Sequence, residues 1–280
     1  VWEQSDGAHL SIWTNRCPAG GSWGTAQRLA ASTGGNALFP SVKANAAGDA
    51  IAVWQQPQGA ALTVWACRYT RGGGWGAACA IAAHSDGVAT AVQAAIDPRG
   101  NVTALWKQSG DAFVSIWAKR YVVGEGWSQA ELLVDGRASG AGDPCIAMDA
   151  TGGAMALWEQ WDATRGASTL WARRCAALEG WGPVVQLDTR QADSVFSPRV
   201  ALDSQGKALA VWQQWDGAHR NIWAAHYTPD EGWGGAELMD AGSADSPVGP
   251  ELAMNAMGTA LAVWGQSDGE RIGIWARAFR

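Results

Sequence analysis

The sequence is short of charge: Asp, Glu, Lys and Arg make up 16% of its 280 residues, with 20 basic against 26 acidic and a formal net charge of -6. About 25% is usual for a soluble domain. A mildly acidic, charge-poor surface collects few phosphates, so nucleic acid is not an expected partner. No apolar run approaches the roughly 20 residues of a membrane-crossing helix. The four histidines, His9, His84, His219 and His226, show neither HxH nor HExxH spacing, and no GxGxxG or phosphate loop is present. Gly72-Gly73-Gly74 reads as a hairpin turn. No metal or cofactor is expected. Cysteines number five, too few and too scattered to fix a redox compartment.

What the chain has is glycine (36) and tryptophan (19). Trp2, Trp54, Trp106, Trp158, Trp212 and Trp264 form one series, and Trp13, Trp65, Trp117, Trp171, Trp223 and Trp275 a second. A third, preceded by Gly or Ser, is Trp23, Trp75, Trp127, Trp181 and Trp233. Each series steps by 52 residues, with one step of 54. The insertion lies between Trp158 and Trp171. Together the three series hold 17 of the 19 tryptophans; Trp161 and Trp215 occupy equivalent places in neighbouring repeats.

The clearest unit runs from Pro198 to Met239. Pro198–Asp203 alternates apolar and polar residues as a strand does. Asp203-Ser204-Gln205-Gly206 is a turn signal, with Asp to cap and Gly to close. Ala208–Trp212 and Ile222–Tyr227 read as second and third strands, and Trp233–Met239 as a fourth. Four antiparallel strands per unit of 40–50 residues, in tandem, is the pattern of a β-propeller. The expected fold is all-β: a single propeller domain over residues 1–280, with repeats starting near Pro40, Val92, Pro144, Pro198 and Pro250. A lone blade buries neither apolar face, so indoles are expected to pack against small residues such as Ala208 and Ala210 of neighbouring sheets.

Second and third strands are readable six times, first and fourth strands five times. Six blades are expected, with five and a spare hairpin as the competing count. On the six-bladed reading the parent chain begins with a fourth strand ahead of Val1 that closes the ring.

The order Pro-x-apolar-x-apolar-Asp-x-x-Gly, a strand ending in Trp, and a Gly-Trp turn resembles the blades of sialidase-type propellers. It is similar also to Trp-rich tandem repeats of secreted bacterial proteins of unassigned role. The aspartate box of that family is not retained: the turn reads Thr228-Pro229-Asp230-Glu231-Gly232-Trp233, two residues short. The resemblance implies three arginines around a carboxylate and a Tyr nucleophile. Residues at the matching first-strand position are Ser41, Gln93, Cys145, Arg199 and Glu251, a single arginine. Tyr69, Tyr121 and Tyr227 share a repeat position with Cys17, Cys175 and Phe279, which reads as packing. No catalytic residue is assigned.

Asp6, Asp162, Asp216 and Asp268 recur in the loops between second and third strands and read as turn caps. The residues after the first Trp series are Glu3, Gln55, Lys107, Glu159, Gln213 and Gly265, with no recurring acid. Cys17 and Cys175 are expected to be small core groups. Cys67 and Cys79 flank one Gly-rich turn and are candidates for a disulfide, which requires Cα atoms roughly 4.4–6.8 Å apart.

Turns at one end of the sheets are short and regular, so variable content is confined to the other end, where binding on rigid scaffolds usually resides. That end carries Trp161 and Trp215, with Arg165, His219, Arg220, Arg199 and Glu251 as candidate ligand-binding residues. Phe39, Phe196, Glu270 and Arg271 lie there too. Exposed aromatic rings beside polar groups suit stacking on sugars. The expected function is a non-catalytic, lectin-like glycan-binding module, secreted, periplasmic or at the cell surface. A scaffold for extracellular protein contacts is the alternative, and a sialidase-like hydrolase or lyase a further one.

Overall fold

Alternating apolar residues broken by Gly- and Asp-rich turns predict strands and no helices. The computed structural model describes residues 1–30, 34–82, 87–110, 114–134, 140–177, 179–188, 194–215, 217–240, 247–267 and 269–280. Among them are 25 strands and no helix.

The first sheet is β1 (Trp2–Ser5), β2 (Leu10–Thr14) and β3 (Gln27–Ala30). The second repeat gives β4 (Leu38–Ala44), β5 (Ala50–Gln58), β6 (Ala61–Thr70), β7 (Gly74–Trp75) and β8 (Cys79–Ala80). The third gives β9 (Val88–Ile96), β10 (Val102–Ser109), β11 (Val114–Val122), β12 (Gly126–Trp127) and β13 (Glu131–Val134). One parallel bridge, Leu62 to Val88, joins these two repeats into a ten-stranded sheet. The fourth sheet is β14 (Cys145–Met148), β15 (Ala154–Asp162), β16 (Ala167–Ala176) and β17 (Gly180–Gln186). The fifth holds β18 (Val195–Leu202), β19 (Ala208–Trp215), β20 (Arg220–Thr228), β21 (Gly232–Trp233) and β22 (Glu237–Leu238). The last is β23 (Val248–Met254), β24 (Ala260–Ser267) and β25 (Ile272–Phe279). Within a repeat every pairing is antiparallel. The architecture is a β-propeller.

Three fourth strands are split in two. Tyr69 pairs with Trp75 and Ala66 with Cys79, so four steps on one strand face three on the other. That extra residue is a β-bulge, and Gly76 N–H still donates to the Arg68 carbonyl (2.8 Å) across it.

Packing groups the chain into two units, Val1–Ala112 with Ile116–Leu132, and Phe113–Ser115 with Leu133–Arg280. Within the first, Ile12 of one sheet packs with Ala52, Trp54 and Cys67 of the next. Within the second, Met155, Leu157 and Leu170 pack with Ala208, Ala210 and Trp212, and Val211 and Ile222 with Ala262 and Trp264. The buried indoles share clusters mainly with larger aliphatic residues of the neighbouring sheet, Trp212 with Met155, Leu157 and Leu170 and Trp264 with Val211 and Ile222, rather than with small residues alone.

Trp54, Trp106, Trp158 and Trp212 are fully buried. A buried indole N–H needs a partner, and each finds it two residues along. Trp2, Trp54, Trp106, Trp158, Trp212 and Trp264 donate from Nε1 to Oε1 of Gln4, Gln56, Gln108, Gln160, Gln214 and Gln266, at 2.7 to 3.3 Å. Residues i and i+2 share a face of a strand, so Trp-x-Gln is the smallest motif that can do this.

At the other end of these strands the Asp-x-x-Gly turns form as expected. Oδ1 of Asp97, Asp149 and Asp203 accepts the backbone N–H two and four residues on, at 2.8 to 2.9 Å. Asn255 does the same. The closing glycines, Gly48, Gly100, Gly152, Gly206 and Gly258, sit at φ 84 to 89°, open to glycine at little cost.

Not all periodic tryptophans pack. Trp23 is 70% exposed: β2 stops at Thr14, and the turn in which Gly21 N–H meets the Pro18 carbonyl leads the chain away before Cys17 can pair. Trp275 is 47% exposed. Its counterparts Trp65, Trp171 and Trp223 face a fourth strand, whereas β25 pairs on one side only among the described residues. Ile274, whose counterparts Ile12, Val64, Ile116, Leu170 and Ile222 are fully buried, is 80% exposed there.

The cysteines also depart in part from expectation. Cys175 is buried, but Cys17 is exposed beyond the end of β2, and Cys67 and Cys79 are free. The residue opposite Cys79 is Ala66, not Cys67. Neighbouring residues on a strand point to opposite faces, so the two thiols lie on different sides of the sheet. Burial pushes the Cys67 thiol up to about 11 and the Cys145 thiol up to about 12. Titration of the folded protein with a thiol reagent near pH 8 is therefore expected to modify Cys17 rapidly. Cys67 and Cys145 should react only on denaturation, and a mass two daltons low per chain would contradict the free-thiol assignment.

Candidate functional site

All seven candidate ligand-binding residues fall in the second unit: Trp161, Arg165, Trp215, His219 and Arg220 where second strands turn into third strands, and Arg199 and Glu251 midway along first strands, opposite Val211 and Val263. Trp161 is the last residue but one of β15, opposite Ser168, and Trp215 ends β19 opposite Arg220. Their rings are 44% and 36% exposed. Backbone bonds tie the two hairpins together at Ser194: Trp215 N–H donates to its carbonyl (2.9 Å), and Ser168 N–H to its hydroxyl (3.2 Å). Arg220 stacks its guanidinium over the Phe196 ring at 4.5 Å, a contact worth roughly 0.5–2 kcal/mol. Trp215, Arg220 and Phe196 thus form one aromatic and cationic group. His219 is half-buried in the turn before Arg220.

Arg165 lies in the two-residue insertion, where its Nε is 3.4 Å from Asp162 Oδ2. Asp162 caps the same turn, accepting the Thr164 hydroxyl (2.6 Å) and backbone N–H (2.8 Å). Those bonds hold its carboxyl below the usual range. Asp6 caps its turn likewise, accepting from Ala8 and His9 N–H. Asp216, Asp268 and His84 lie outside the described residues.

Arg199 and Glu251, 52 residues apart, meet as a forked pair at 2.8 and 3.2 Å. The bond to Glu251 raises the Arg199 guanidinium further, and Cys145 and Glu159 also act on it. Arg199, Glu251, Cys145 and Glu159 are therefore one cluster on adjoining strands.

Glu159 has a task that spacing alone does not reveal. Before the first-strand Pro position the chain bulges: Phe39, Ala91 and Ser197 adopt φ of 51 to 54°, and Gly249 φ of 60°. In β4, Phe39 and Pro40 together oppose the single residue Trp54. The N–H turned out at the bulge is taken by the glutamate after Trp in the preceding repeat: Phe39 by Glu3 (2.6 Å) and Ser197 by Glu159 (2.7 Å). Gln213 donates in the same way to the Pro247 carbonyl. Left-handed non-glycine residues cost of order 1–3 kcal/mol and gather at functional sites. Phe39 is 66% exposed.

No protein-family model matches the sequence, and no curated protein matches it. Solved structures do. The chain superposes on a protein of unknown function from Dyadobacter fermentans with a TM-score of 0.58 at 12% identity, over 86% of this chain and 78% of that one. An ulvan lyase of a new polysaccharide lyase family, bound to -[GlcA(1-4)Rha3S]-, gives 0.62 at 9%, over 91% and 72%. An α-L-arabinanase from Penicillium chrysogenum, complexed with arabinobiose, gives 0.51 at 15%, over 86% and 77%. Identities this low establish a shared fold. They transfer no residue roles.

The carboxylates of the site are already engaged: Glu251 by Arg199, Glu159 by Ser197 N–H and Asp162 by its own turn. Asp188, at the end of the fourth strand beside Arg165, is buried and accepts Leu170 N–H at 2.6 Å. Burial raises its carboxyl above the usual range against that bond. Open to solvent are the Trp161 and Trp215 indoles, parts of Arg165 and Arg199, and the Glu251 side chain paired with Arg199.

Proposed function

We propose that this propeller binds glycans on the loop-bearing ends of the sheets in its second unit. Trp161 and Trp215 are the stacking surfaces, and Arg165, His219, Arg220, Arg199 and Glu251 are the surrounding polar groups. The observation that carries the reading is the exposure of both indoles, 44% and 36%, at one repeat position of adjacent sheets. Trp158 and Trp212, three residues earlier on the same strands, are fully buried. Large exposed rings beside donors are a recognition surface. The ulvan lyase and arabinanase that share the fold are named for polysaccharides, which favours a carbohydrate ligand. Engaged carboxylates favour binding over hydrolysis or elimination. Such a ligand fits a secreted or surface-held protein.

A glycan array probed with the wild type and the double variant Trp161→Ala, Trp215→Ala tests the assignment. Each ring contributes on the order of 1–1.5 kcal/mol, so the double variant is expected to lose about 10²-fold in affinity with its melting temperature little changed. Retention of every interaction would remove the site from these residues. Turnover of the bound glycan would instead favour a lyase or hydrolase. The second reading, a protein scaffold, is favoured by the exposed apolar edge of Ile272, Ile274 and Trp275.

A further inference from the structure

Two concavities of the first unit lie not at the loop-bearing ends but at the opposite ends, and they match. One, of about 300 Å³, is lined by Arg16, Gly24, Thr25, Tyr69 and Trp75 among others. The other, of about 330 Å³, is lined by Arg68, Gly76, Ala77, Tyr121 and Trp127 among others. Each residue of the second set stands 52 positions after its counterpart in the first. The repeat has built the same pocket twice, between the Gly-rich turn of one sheet and the aromatic pair of the next.

The chemistry matches too. Tyr69 and Trp75 meet edge to face at 5.4 Å, and Tyr121 and Trp127 at 5.5 Å. Arg16 lies over the Tyr69 ring at 5.3 Å and Arg68 over Tyr121 at 4.2 Å. Trp127 donates its N–H to the Cys79 sulfur, and Lys119 adds positive charge beside that thiol. Neither lining contains a carboxylate. Arg68 Nε is buried without a hydrogen-bond partner. Its Nη2 donates to the Gly100 carbonyl (3.0 Å), which holds the guanidinium at the pocket wall.

We propose that these are two equivalent binding pockets, each for one sugar unit carrying a carboxylate or sulfate. Their volume sits at the small end of ligand pockets, room for a single ring and little more. Aromatic walls suit the apolar face of a sugar, and arginine without an acid in the lining suits an anionic substituent. A pocket repeated in register fits a ligand that is itself a repeating polymer, on which two weak sites reinforce one another. This site is separate from Trp161 and Trp215 and stands or falls independently of them.

Calorimetric titration of the full chain with glucuronate, galactose 6-sulfate and galactose tests it. Two sites per chain are expected for one or both anionic sugars, with galactose at least tenfold weaker; the two anionic arms tell carboxylate from sulfate. Thr25 and Ala77 are exposed at the pocket rims, so Thr25→Trp and Ala77→Trp fill one pocket each. Either variant should halve the stoichiometry and the pair abolish binding, while Trp161→Ala with Trp215→Ala leaves it at two. Arg16→Ala, an exposed change, should weaken one site at least tenfold and serves if a filled variant does not fold. Two sites surviving in the double-filled protein, equal binding of galactose, or no binding of either anion would overturn the proposal.

Discussion

Trp212→Ala is expected to destabilise the second unit by about 3–5 kcal/mol, the range for emptying a buried aromatic site. The ring is fully buried among Met155, Leu157, Leu170 and Ala172 of the preceding sheet, and interior packing leaves little slack to close the gap. Against a typical total of 5–15 kcal/mol, that is a large fraction of the whole. Gln214 loses its indole donor in the same step. The reciprocal change, Gln214→Leu, keeps the ring but strands its buried N–H, for about 1–3 kcal/mol. Trp215→Ala, three positions along the same strand, removes a ring that is 36% exposed and should change stability far less. Urea unfolding followed by circular dichroism checks the order. Equal losses for Trp212→Ala and Trp215→Ala would mean that burial does not separate the two classes of tryptophan.

Much of this architecture was readable from spacing. The 52-residue period of the first two Trp series marked the second and third strands of all six repeats, because burial of an indole fixes most of those positions in a sheet more tightly than other side chains do. The turns were readable because Asp and Gly act locally: the carboxylate caps its own N–H groups and Gly admits the left-handed φ. Contacts made between repeats were not readable. Glu3 and Glu159 take bulge N–H groups that exist only because Phe39 and Ser197 adopt positive φ, and neither residue type advertises that conformation. Cys67 and Cys79 looked apposed across a hairpin until a one-residue bulge set Ala66 opposite Cys79. Trp-x-Gln was present in the text of all six repeats, but attention to the residue directly after Trp passes over it. Of the candidate site, spacing singled out Trp161 and Trp215, and the structure joined them to Phe196 through Arg220 and Ser194. The paired pockets draw on residues of two neighbouring repeats each, so no single unit displays them.

Asp149→Ala is the second change expected to cost heavily, about 2–4 kcal/mol. The carboxylate is buried, and its Oδ1 accepts Thr151 N–H (2.8 Å), the Thr151 hydroxyl (2.7 Å) and Gly153 N–H (2.9 Å), while Oδ2 takes the Arg174 guanidinium. Removing it orphans two backbone donors and a half-buried cation, and a cation left without its partner is the costlier part. Asp149→Asn keeps an acceptor for the turn and should lose about half as much. Burial alone would raise the Asp149 carboxyl, but the bonds from Thr151 and Arg174 outweigh it and hold the group below the usual range. Its stabilisation is therefore complete above the ordinary carboxylate pKa of about 3.9 and is lost as pH falls through the lower folded value. Asp188 runs the other way. Burial raises its carboxyl, so its contribution is present below about pH 3.9 and is lost as pH rises through the raised folded value. Unfolding free energies measured from pH 3 to 7 should show a shallower acid-side decline in Asp149→Asn than in the wild type, and a gain at neutral pH in Asp188→Asn. Parallel curves for all three proteins would mean that neither carboxyl is set apart by the bonds and burial described for it.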